Sequence, residues 1–76
     1  MEFYIESFKM AMAEMEKYEA LANEAEAEML ADPLNTTKEH IFDVYYTKEF
    51  NNWQRAVELL KMLIRCDDNT AKEMIA

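Results

Sequence analysis

The sequence predicts an all-α protein: an antiparallel hairpin of two long helices, followed by a short C-terminal helix. Three observations lead there. The 76 residues include no glycine and one proline, so tight hairpin turns and phosphate-cradling loops lack the residue they lean on. Alanine, glutamate, methionine, leucine and lysine dominate, and all are good helix formers. Apolar residues also recur at alternating spacings of three and four, the period of one helix face.

The first helix is expected over about residues 3–31. Its stripe reads Tyr4, Phe8, Ala11, Met15, Tyr18, Ala22, Ala25 and Met29, held for about seven turns at ~3.6 residues per turn. Pro33 closes it, because proline disfavours helical geometry at Asp32 and has no N–H to give a helix interior. A loop over residues 32–36 follows. Thr36 with Glu39 matches a capping box, which predicts the second helix over about 37–65. The second stripe is Phe42, Tyr46, Phe50, Trp53, Val57, Leu60 and Ile64. "IFDVYYT" is rich in strand formers, yet it lacks alternation and has no second strand to pair with. Thr70 with Glu73 forms another capping-box match, so a short helix is expected over about 70–75.

The two stripes complement one another in size. Ala11, Ala22 and Ala25 are small, while Phe50 and Trp53 are bulky, and facing layers interdigitate large against small. Apolar residues remain outside the second stripe, at Ile41, Val44, Tyr45, Leu59 and Met62. A single hairpin is a thin core for a short chain. The expectation is a homodimeric four-helix bundle with Ile41, Leu59 and Met62 at the oligomer interface.

Charge is unevenly placed. Residues 1–32 carry nine acids and two bases, whereas residues 33–76 carry seven acids and six bases. Direct nucleic-acid binding is disfavoured, since phosphates repel such a surface, and a basic partner is favoured by the same field. The acids concentrate in "EMEKYEALANEAEAEML", as Glu14, Glu16, Glu19, Glu24, Glu26 and Glu28. A solvated face is the plain explanation for them. Against it, the run occupies the C-terminal half of its helix, where the macrodipole makes each acid unfavourable by ~0.3–1 kcal/mol. Lys17 is the one lysine inside it, so the interleaved pairs that stabilise a helix are missing.

These six glutamates are therefore the candidate partner-binding residues, with Tyr45 and Arg55 as aromatic and cationic additions. The expected function is a non-catalytic acidic protein that occupies a basic surface of a nucleic-acid-binding protein or complex, by nucleic-acid mimicry. Small acidic phage inhibitors of restriction and CRISPR systems work by that physics, although no motif here points to a family. The alternative is a homodimeric scaffold or adaptor acting through apolar faces.

Catalysis and cofactors are not expected. His40 is the only histidine, and with Glu39 and Asp43 it falls short of a converging metal set. The Glu-x-x-His pair of di-iron bundles is absent. Ser-His-Asp sets and phosphate loops are absent too. Cys66 is the only cysteine, which excludes an intrachain disulfide and suits a reducing compartment. With an acidic N-terminus and no apolar run of membrane-spanning length, a cytoplasmic location is expected.

Overall fold

The computed structural model describes residues 2–76. It contains three helices, α1 (Glu2–Ala31), α2 (Thr36–Ile64) and α3 (Asp68–Ile75). No strand occurs among the described residues. The two long helices pack antiparallel along their length, and α3 folds back onto α2. The molecule measures 46 × 22 × 13 Å with a radius of gyration of 14.8 Å. A compact chain of this length would have a radius near ~11 Å, so this is a rod with little interior.

The helix ends are set by aspartate and asparagine rather than by threonine. Asn35 caps α2, its side-chain oxygen accepting from Thr37 N at 3.0 Å and Lys38 N at 3.3 Å. Thr36 is already the first helical residue, which corrects the cap expected there. The short amide side chain reaches two free N–H groups at once, and asparagine is among the strongest N-caps. Asp32 holds Asn35 in place, accepting from the Asn35 side-chain amide at 3.2 Å and from its backbone N–H at 3.1 Å. Asp67 likewise caps α3 by accepting from Thr70 N at 2.7 Å. α3 therefore begins two residues before the expected position. Arg65 ends α2 in the left-handed region, at φ 51° and ψ 46°.

The contact face of α1 is close to the predicted stripe. Ser7, Ala11, Ala22 and Ala25 are buried, and Phe8, Met15, Tyr18 and Met29 are half-buried. Tyr4 lies at the exposed margin. The face of α2 is rotated from the predicted stripe. Val57 and Leu60 are buried and Phe42 and Trp53 half-buried as expected, but Tyr46, Phe50 and Ile64 are 55%, 44% and 49% exposed. In their place Tyr45, Glu49, Asn52, Ala56, Leu59 and Leu63 turn inward. The reason is the size of what faces them. Ala56 on α2 is fully buried at 0% exposure, and the buried residues of α1 are all small: Ser7, Ala11, Ala22 and Ala25. Tyr46 and Phe50 lie at the rim, while Phe42, Tyr45 and Trp53 are half-buried. The expected interdigitation of Phe50 with the α1 alanines does not occur.

The one cluster of larger core residues lies at the α3 end. Val57, Leu60 and Ala71 form it, with Phe8, Trp53, Cys66 and Ile75 packed around them. α3 thus covers part of the apolar surplus of α2. Met62 remains 53% exposed and Ile41 41%, whereas Leu59 is half-buried. Total exposed surface is 5565 Å², more than the ~4,900 Å² typical of a folded chain this size.

Candidate functional site

The carboxylates of α1 do not form a single row. Helical periodicity carries Glu14, Glu24 and Glu28 to one edge of the hairpin, Glu19 and Glu26 to the other, and Glu16 to the outer face. On the first edge Glu24 and Glu28 line a groove of about 220 Å³ with Leu21, Ala25, Ile41 and Tyr45. The structure therefore joins two predicted acids to the predicted aromatic. Tyr45 is fixed there by stacking on Tyr18, with ring centroids 6.2 Å apart and planes 28° apart.

None of the six glutamates has a basic partner among the described residues. The ion pairs use other acids: Glu6 with Lys9 at 3.9 Å, Asp32 with Lys38 at 3.8 Å, and Glu58 with Lys61 at 3.4 Å. Asp68 meets Lys61 at 3.5 Å and Lys72 at 2.8 Å. Lys17, inside the acidic run, leans over the Tyr18 ring at 5.3 Å, and Lys48 does the same from α2. Arg55 is exposed and lines a hollow of about 690 Å³ between the outer face of α2 and α3. The acids in that hollow, Glu58 and Asp68, are already paired.

The second edge holds a feature that the predicted stripe concealed. Met15, Tyr46, Glu49, Phe50 and Trp53 line a notch of about 260 Å³. Phe50 and Trp53 stand 5.8 Å apart, centroid to centroid. Burial, and then the nearby Glu19 carboxylate, hold the Glu49 carboxyl above its ordinary value. The three-four spacing of Tyr46, Phe50 and Trp53 around Glu49 is visible in the sequence, and it is the same spacing that predicts a core stripe.

The titration shifts elsewhere belong to the α3 junction. Hydrogen bonds from the Thr70 hydroxyl and then its backbone N–H lower Asp67. The hydrogen bond from Lys72 lowers Asp68. His40 is exposed beside Asp43 and Lys48. No group of three or more metal-ligating side chains converges among the described residues, and no helix there is long and apolar enough to cross a membrane.

Comparison with protein-family models, curated proteins and solved structures finds no match.

Proposed function

We propose that the chain is a non-catalytic acidic binding protein, acting in the cytoplasm, that occupies a basic surface of a nucleic-acid-binding protein and blocks it. The observation that carries this reading is the unpaired state of all six glutamates from Glu14 to Glu28, while Glu6, Asp32, Glu58 and Asp68 find lysines. Along the helix axis the six carboxylates fall within about 21 Å at ~1.5 Å per residue, divided between two edges and the outer face, so a basic partner meets negative charge on more than one side of α1.

Charge reversal tests it. Glu24→Lys with Glu28→Lys should abolish capture of the partner while circular dichroism stays helical. Single-stranded oligonucleotide should compete with the unmodified chain, and rising salt should release the complex, because exposed charges are screened over ~10 Å at 0.1 M. Undiminished capture by the reversed variant would refute the proposal.

A second reading, assembly of two copies through apolar surface, draws on the exposure of Met62 and Ile41. Ile41, however, shares its groove with Glu24 and Glu28. A two-fold interface there would bring four unpaired carboxylates together, which like-charge repulsion opposes. Met62→Glu with sedimentation tests this reading: loss of a dimer would favour assembly.

A further inference from the structure

We propose that the notch lined by Met15, Tyr46, Glu49, Phe50 and Trp53 receives an arginine side chain of the basic partner. The inference rests on the proposed acidic binding function and adds to it an anchoring subsite on the opposite edge from Glu24 and Glu28. The notch, at about 260 Å³, is smaller than the ~300–1,000 Å³ of small-molecule sites, and so suits one side chain.

Its chemistry selects the occupant. Three aromatic residues offer ring faces or edges within about two turns of α2, and Phe50 is 44% exposed. Aromatic faces attract cations, most strongly when water is excluded. In the lining, Glu49 is half-buried and has no basic partner among the described residues, with the Glu19 carboxylate close by. A half-buried carboxylate lining an apolar hollow, with a second carboxylate nearby, disfavours an apolar or anionic occupant. The same pair disfavours a second copy of this chain, which presents the same acids. A planar guanidinium satisfies both halves of the site, since it stacks on rings, bonds carboxylates in a fork and sheds water more readily than an ammonium. The chain already uses the same contact internally: Lys72 sits 5.7 Å from the centroid of the Trp53 ring. That lysine is held by Asp68 at 2.8 Å and does not line the notch, so Glu49 remains uncompensated.

The only tryptophan lines the notch, so Trp53 fluorescence reads its occupancy. The probe is a short arginine–glycine peptide, with a citrulline–glycine peptide of equal length as the uncharged control. The arginine peptide should alter Trp53 emission and the citrulline peptide should not. Glu49→Gln and Phe50→Ala should each weaken arginine-peptide binding about tenfold, with helical circular dichroism preserved. Unchanged affinity in both variants, with loss on Glu24→Lys plus Glu28→Lys, would overturn the subsite and leave the acidic-edge function standing. No binding of the peptide by the unmodified chain would overturn the subsite, and capture by the Glu24→Lys, Glu28→Lys variant decides the function separately. A dimer of the unmodified chain that Phe50→Ala dissolves would overturn the arginine assignment in favour of a second copy.

Discussion

Replacing Glu28 by lysine should make the protein more stable while weakening its binding. Glu28 lies in the last turn of α1, which contains no basic residue. It faces Glu24 four residues before and Asp32 four residues after, and it pairs with no lysine. Lysine at 28 removes a like-charge repulsion with Glu24 of ~0.2–0.5 kcal/mol and creates an attraction of similar size. It also converts an unfavourable macrodipole contact of ~0.3–1 kcal/mol into a favourable one. Exposure and salt reduce these gains, leaving a net stabilisation of about 1 kcal/mol. For a domain of this size that corresponds to a rise of ~4–8 °C in Tm. Thermal and urea unfolding, followed by circular dichroism at low and moderate salt, give the number. Binding should move the other way. A contact of opposite charges at 4 Å in water is worth ~1 kcal/mol, so reversal costs about 2 kcal/mol, or roughly 30-fold in affinity. A variant that gains no stability would refute the claim that these acids are locally unfavourable. A variant that gains stability and binds as before would leave the acids without a partner-facing role.

Other outcomes follow from the helix junctions. Arg65→Gly should stabilise the chain by about 1 kcal/mol, because Arg65 holds a left-handed conformation that disfavours a side chain by ~1–2 kcal/mol; urea midpoints with an unchanged slope would show it. Acidification should loosen α3. Asp67 and Asp68 lie below their ordinary value of 3.8 in the folded chain, so their contribution is complete above that value and is lost as pH falls through the lower folded values. Trp53 fluorescence should report the loss below about pH 4, and a response already complete at pH 6 would contradict it. Glu49 has the opposite sign, since its folded value is raised: its ionisation disfavours the fold at neutral pH, and Glu49→Gln should raise Tm at pH 7 but not in acid.

Much of the fold was legible because the strongest signals are local. The absence of glycine, the three-four spacing and Pro33 fix two long helices and their turn, and these depend on neighbouring residues alone. The caps were less legible, since "LNTT" and "CDDNT" each offer several capping residues in a row. Asn35 and Asp67 prevailed over Thr36 and Thr70 by reaching the free N–H groups directly. The unpaired glutamates were legible from the scarcity of lysine. Their division between two edges follows from periodicity and divides what a one-dimensional run suggests is continuous.

The rotation of α2 was not legible, because it depends on how closely two backbones approach. The stripe through Phe50 collects the most hydrophobic side chains, so by hydrophobicity alone it should be buried. Close packing favours instead the register in which small residues are buried, Ala56 on α2 and Ser7, Ala11, Ala22 and Ala25 on α1. The two registers make opposite predictions. Were Phe50 core, Phe50→Ala would cost ~3–5 kcal/mol, and Ala56→Leu would be tolerated as a change off the stripe. With Phe50 at the rim and Ala56 fully buried, Phe50→Ala should cost no more than about 1 kcal/mol. Ala56→Leu should cost ~1–3 kcal/mol by wedging the helices apart. Urea unfolding of the two variants side by side decides between them, and a larger loss in Phe50→Ala than in Ala56→Leu would refute the rotated register. It would also remove the aromatic notch, because those rings line an open edge only while the alanines hold the centre.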